Sequence, residues 1–180
     1  LAIGNILSPI LFTAIDTVEG YKGVRFETVS PINDSSIFEY CRFEHGRAYD
    51  PWPDNSGAAL AIMGTNKVRV EHCTFYHNRG VYTTGANLPG GGAIALWNSD
   101  VIIRHNFFYN NSCYYGGALI CYDKCKAVVQ NNYFENNHSP YQGGAVMFYE
   151  NDSSVFTNNI IVNNTSADYG GGICIRDNCG

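Results

Sequence analysis

The 180-residue chain is 45% hydrophobic but only 15% charged, with 19 glycines and a formal net charge of −5. So low a charged fraction suits strands and turns rather than solvated helices, and the acidic balance argues against a nucleic-acid or anionic-membrane partner. No apolar run reaches the length of a membrane span, and the chain is long enough for one continuous core.

The chain opens at Leu1 with neither a Met nor a signal peptide, and its end at Asp177-Asn-Cys-Gly180 looks like the middle of a repeat. The expectation is a segment of a longer protein. Pro9-Ile-Leu-Phe-Thr-Ala14 and Gly23-Val-Arg-Phe-Glu27 alternate like strands, which predicts an irregular first coil over 1–34 ahead of repeats over 35–180.

From residue 38 five segments align without gaps: Phe38-Glu-Tyr-Cys-Arg-Phe43, Val70-Glu-His-Cys-Thr-Phe75, Ile103-Arg-His-Asn-Phe-Phe108, Val129-Gln-Asn-Asn-Tyr-Phe134 and Phe156-Thr-Asn-Asn-Ile-Ile161. Phe-x-x-Asn follows at Asn78, Asn111 and Asn137, relaxed to Ile161-x-x-Asn164. A glycine element closes each unit: a degenerate Ser56-Gly-Ala-Ala-Leu60, then Gly91-Gly-Ala-Ile94, Gly116-Gly-Ala-Leu119, Gly143-Gly-Ala-Val146 and Gly170-Gly-Gly-Ile173. The unit is too short for helices or for two antiparallel sheets, and it suits one coil of a solenoid whose strands pair with their equivalents a repeat later. The predicted fold is all-β, a right-handed parallel β-helix of about six coils, roughly 30 Å long at one strand spacing per coil. The columns Phe38-Val70-Ile103-Val129-Phe156 and Phe43-Phe75-Phe108-Phe134-Ile161 fill its core. The Asn columns form buried ladders, each amide donating to one neighbour and accepting from the other, at corners where Asn tolerates the left-handed conformation. The glycine pairs mark a corner too tight for a side chain.

Stacking also brings possible chemistry together. Glu39, Glu71 and Arg104 share one column, which is either a carboxylate pair for general acid/base work or a solvated face where Arg104 offsets two acids. His45 lies over His77 and His72 over His105, for metal or proton chemistry or as corner imidazoles bonded to backbone. Asp100, Asp123, Asp152 and Asp177 are turn formers, with weak Ca²⁺ binding as the alternative; no other cofactor is indicated. Tyr115, Tyr141 and Tyr169 precede the glycine corner, Tyr49, Trp52 and Tyr82 lie in longer loops at the same edge, and Trp97, Tyr122 and Tyr149 follow the next strand. Such stripes lie against sugar rings or a protein partner, or shield the corners. Ala61, Ala95, Ile120 and Met147 should face outward beside Cys174, an uncharged column awaiting a second subunit or another part of the parent chain.

The seven cysteines leave one without an internal partner. Cys121–Cys125 and Cys174–Cys179 are spaced to close small loops or to remain thiols, whereas Cys41 and Cys73 are expected as buried free thiols. Neither paired CxxC knuckles nor suitably spaced histidines point to zinc.

The glycine tetrads with Phe-x-x-Asn resemble the repeats of chlamydial polymorphic outer-membrane proteins, and more generally those of right-handed β-helix proteins of bacterial surfaces. The opening Ser8-Pro-Ile-Leu-Phe-Thr-Ala14 with Gly23-Val-Arg-Phe26 is similar to the start of such regions. The resemblance implies an extracellular or outer-surface location and roles from adhesin and passenger domains to carbohydrate enzymes. The expectation is a non-catalytic structural or adhesive module that self-associates, in fibres or with the rest of its parent chain. The alternative is a polysaccharide lyase or hydrolase, or a carbohydrate-binding scaffold.

Overall fold

The computed structural model describes residues 1–29, 35–49, 54–80, 90–150, 153–177 and 179. Its strands are two to four residues long and each turns into the next at a corner, so the backbone cannot pair within a coil and instead pairs with the coils above and below. The result is a parallel β-solenoid with three sheets of six strands each. The first sheet stacks Ala2–Ile3, Ser36–Glu39, Val68–Glu71, Val101–Arg104, Val128–Gln130 and Val155–Thr157. The second stacks Ile10–Phe12, Cys41–Glu44, Thr74–Tyr76, Phe107–Tyr109, Tyr133–Glu135 and Ile160–Val162. The third stacks Val24–Glu27, Leu60–Met63, Ile94–Trp97, Leu119–Tyr122, Val146–Tyr149 and Ile173–Arg176. Short bridges through Arg47–Ala48, Arg79–Gly80, Ser112, His138–Ser139 and Thr165–Ser166 run beside the second corner.

The register is that of the sequence columns: Phe38 opposite Val70, then Ile103, Val129 and Phe156. The first coil is in register too, with a strand at Ala2–Ile3 that alternation alone does not reveal. Phe12, Phe43, Phe75, Phe108 and Phe134 form one continuous stack with ring centroids 4.6–4.9 Å apart and planes within 7° of parallel. That spacing is the strand repeat itself, so each phenyl meets its copy as the coils pair.

Both corner ladders form. Asn132 Oδ1 accepts the Asn106 backbone N–H at 2.9 Å and its Nδ2 at 3.0 Å, while Asn132 Nδ2 donates to the Ile103 carbonyl at 2.9 Å and to Asn159 Oδ1 at 3.0 Å. The second ladder runs Asn78, Asn111, Asn137, Asn164 in the same manner. The left-handed residues are not the ladder asparagines. They are the residues just before each rung position: Tyr40, His72, His105, Asn131 and Asn158 at one corner, where the rung is Cys41, Cys73 and then Asn, and His45, His77, Asn110, Asn136 and Asn163 at the other, where it is Gly46 and then Asn. Turning the chain there aims the next side chain inward and leaves the left-handed one outside. At the glycine corner, a Cβ on Gly92, Gly117 or Gly144 would run into the carbonyl or backbone of the next coil, so the second glycine is required by close approach wherever another coil follows.

Candidate functional site

Outside the core, the third sheet and the corners flanking it carry most of the groups singled out above. Leu60, Ile94, Leu119 and Val146 point into the main core. Ala95, Ile120, Met147 and Cys174 point away and form a separate cluster. The expectation that Ala61, Ala95, Ile120 and Met147 await another subunit needs correction: all four are at most 2% exposed. Tyr115, Tyr122 and Tyr149 of the same chain pack over the cluster, because tyrosines at both margins of the strand fold their rings across it.

Trp97, Tyr122 and Tyr149 lie in one register column, as the last residues of their strands. Tyr122 and Tyr149 stack at 5.6 Å and 13°, Trp97 is tilted against Tyr122 at 6.0 Å, and the Arg176 guanidinium lies 5.8 Å from the centre of the Tyr149 ring. Each aromatic hands its donor to an acid one coil on. Trp97 Nε1 donates to Asp123 at 3.3 Å, the Tyr122 hydroxyl to Glu150 and the Tyr149 hydroxyl to Asp177. Burial and then the Glu150 hydrogen bond push the Tyr122 phenol up to about 12; burial and then Asp177 raise that of Tyr149. The acids occupy the left-handed corner just after the strand, in the order Asn98, Asp123, Glu150, Asp177. Of the four aspartates expected as turn formers, Asp123 and Asp177 stand at this corner, where Asn98 and Glu150 take the other two places, and Asp100 lies two residues beyond Asn98. Asp152 itself, like Trp52 and Tyr82, lies outside the described residues.

The tyrosine stripe before the glycine corner also shifts. Tyr115 pairs with Gln142, and Gln142 with Tyr169. Tyr141 instead stacks on Tyr114 at 4.9 Å and meets Tyr115 edge-on at 5.4 Å. Gln142 is fully buried; its Oε1 accepts from Arg176 Nη1 at 3.0 Å, and its Nε2 has no hydrogen-bond partner among the described residues. Tyr141, Gln142, Tyr169, Cys174, Ile175 and Arg176 line a cleft of about 570 Å³. Gln142 was legible as the residue directly before a Gly-Gly pair; Arg176 and Glu150 needed the register.

Glu39 lies opposite Glu71, and Glu71 opposite Arg104. Arg104 Nε sits 2.7 Å from Glu71 Oε1 in a partly buried ion pair. The imidazoles of His72 and His105 are stacked at 5.0 Å and 6°, with Tyr40 continuing the stack below. His45 and His77 meet at 5.8 Å, and the Asn110 amide donates to His77 Nε2 at 3.1 Å. Burial, then His45, lowers the His77 pKa, against a smaller opposing pull from Glu44. Among the described residues no group of three or more His, Cys, Asp or Glu side chains is placed to hold a metal ion, and no helix is long and apolar enough to cross a membrane.

The family model described as "Right handed beta helix region" matches residues 23–180. The chain belongs to that family. No curated protein and no solved structure matches it. The β-helix hand follows the general preference for right-handed crossovers between parallel strands, and the match leaves out mainly the first two strands of the first coil.

Proposed function

We propose that this β-helix is a non-catalytic module of the extracellular or outer cell surface, structural or adhesive in role. The observation that carries the reading is the Glu71–Arg104 ion pair at 2.7 Å. The column with the best prospects for acid/base chemistry has its central carboxylate engaged by the next coil, whereas a general base must be presented to a substrate proton. Glycine tetrads and Phe-x-x-Asn repeats like those of chlamydial polymorphic outer-membrane proteins support the surface location. Self-association, or packing on other parts of a parent chain, belongs to the same reading, and it draws on surfaces other than the covered Ala61–Met147 column. Light scattering across a wide concentration range checks it. The enzyme alternative is tested by incubating the protein with pectin-like and alginate-like polysaccharides, with and without Ca²⁺. No product is expected; product formation abolished by Glu71→Gln overturns the non-catalytic reading.

A specific observation favours a second reading, a carbohydrate-binding scaffold without turnover. The cleft beside Tyr141 and Tyr169 offers aromatic rings, the Arg176 guanidinium and the Gln142 amide together, a combination suited to an acidic sugar. Calorimetric titration with uronic oligosaccharides tests it: binding weakened at least tenfold by Arg176→Ala supports it, and no heat from the wild-type protein removes it.

A further inference from the structure

The first corner ladder is asparagine only from Asn106 onward; in the second and third coils the same rung is Cys41 and Cys73. Both thiols are 1% exposed, and they take over the amide's bonding. Cys73 Sγ accepts the Cys41 backbone N–H at 3.4 Å, as Asn106 Oδ1 accepts that of Cys73 at 2.8 Å. Cys73 Sγ also lies 3.5 Å from the Phe38 carbonyl, the counterpart of the Val70 carbonyl that takes the Asn106 amide at 2.8 Å. A thiol is a poorer rung. An amide has two N–H donors for its two neighbours, and a thiol has a single S–H.

We propose that Cys41 and Cys73 are the two halves of an inter-coil disulfide that staples the second coil to the third when the chain folds in an oxidising setting. Their neighbours Arg42 and Thr74 are directly paired in parallel register. The two Cα atoms are therefore one strand spacing apart, about 4.8 Å, within the roughly 4.4–6.8 Å that a disulfide spans. Cys73 Sγ lies 3.4 Å from the Cys41 backbone nitrogen, so the two side chains are adjacent in the buried corner. In the closed fold the bond between the two thiols lowers the pKa of Cys41, while that bond and burial raise that of Cys73. Losing the S–H donors strands no strand-end carbonyl: that of Glu39 already accepts from Gly4 N–H at 2.9 Å, and that of Glu71 from Tyr40 N–H at 3.3 Å.

The oxidant is an external disulfide, either a small molecule or a thiol oxidoreductase. One of the two protein thiolates attacks one of its sulfurs and expels the other half as a thiol. The second protein thiolate then attacks the protein sulfur of the mixed disulfide and expels the second half. Two protein thiols are oxidised, one external disulfide is reduced to two thiols, and the thiol protons leave with the products. With both sulfurs buried, the exchange runs as the two coils stack, before the corner closes.

The test is to refold the full chain in a glutathione redox buffer, alkylate it under denaturing, non-reducing conditions, and map the peptides by mass spectrometry. The expected result is one linked peptide joining Cys41 to Cys73, absent after dithiothreitol. It should be accompanied by a Tm roughly 5–10 °C above the reduced protein. Cys73→Ser removes the redox dependence of Tm; because that variant is a buried change, the wild-type peptide map decides independently. Recovery of both cysteines alkylated after oxidative refolding, or linked to other cysteines instead, overturns the proposal.

Discussion

The two sides of the third sheet are equally hidden from water yet differ in what hides them. Leu119 and Ile120 are neighbours on one strand and both are 0% exposed. Leu119 points into the coil, where all three sheets and the phenylalanine stack surround it. Ile120 points out into a separate cluster over which Tyr115, Tyr122 and Tyr149 pack. Burial alone therefore does not define the core. The inner column is held by backbone that cannot move without unpairing coils, and the outer column by side chains that can swing aside.

That difference should be visible in mutants. Leu119→Asp places a charge where nothing can relax to solvate it, and should cost about 5 kcal/mol or more, enough to prevent cooperative folding. Loss of the far-UV β signal and of soluble expression checks it; a folded Leu119→Asp protein would erase the distinction. Ile120→Asp should cost about 2–4 kcal/mol and leave a folded protein, because Tyr115 and Tyr122 can open and admit water. Equal loss for the two variants in denaturant melts would mean that the tyrosine cover is as rigid as the coil.

A corner rung should fall lower still. Asn132→Leu leaves the Asn106 amide and backbone N–H and the Ile103 carbonyl without their shared partner, for a loss of roughly 1–3 kcal/mol. Urea unfolding measures this, and a midpoint equal to wild type would show that the ladder is dispensable. The smallest effect belongs to the tyrosine cover itself. The Tyr122 phenol is raised from 10 to about 12, so the folded state holds that proton more tightly than the unfolded state. Its contribution is complete below pH 10 and is lost as pH rises through about 12. Stability should fall across this window, and less steeply in Tyr122→Phe. Ultraviolet titration of the phenolates alongside melting checks both.

Most of the interior was legible in the sequence because a parallel coil repeats its side-chain direction without change: Phe75, Phe108 and Phe134 sit at the same offset and stack at the same point. The Asn ladders were legible for the same reason. Their left-handed turns were misplaced by one residue, since an Asn can serve as rung or as turn and only the backbone shows which. The outer face was less legible. Spacing put Tyr141 in line with Tyr115, but pairing puts Gln142 there, because the corner is counted from the glycine pair and not from the tyrosine. Nor does spacing tell which way a tyrosine ring folds, and that decided whether Ile120 was covered. The Ala2–Ile3 strand is too short to show alternation at all.

The intervals between rungs of the first corner are 32, 33, 26 and 27 residues, yet the pairing never slips. The surplus of the two long coils falls entirely between the second corner and the glycine turn, after Gly46 and after Asn78. The stretch between the two corners is therefore held to a fixed length, and this junction takes up most of the insertion; the turn after the third sheet also varies, from eight residues between Glu27 and Ser36 to three between Trp97 and Val101. New peptide grafted after the second corner would project from the rod without disturbing a single column, so this edge is where lineages, or a protein engineer, can write new surface onto an unchanged frame.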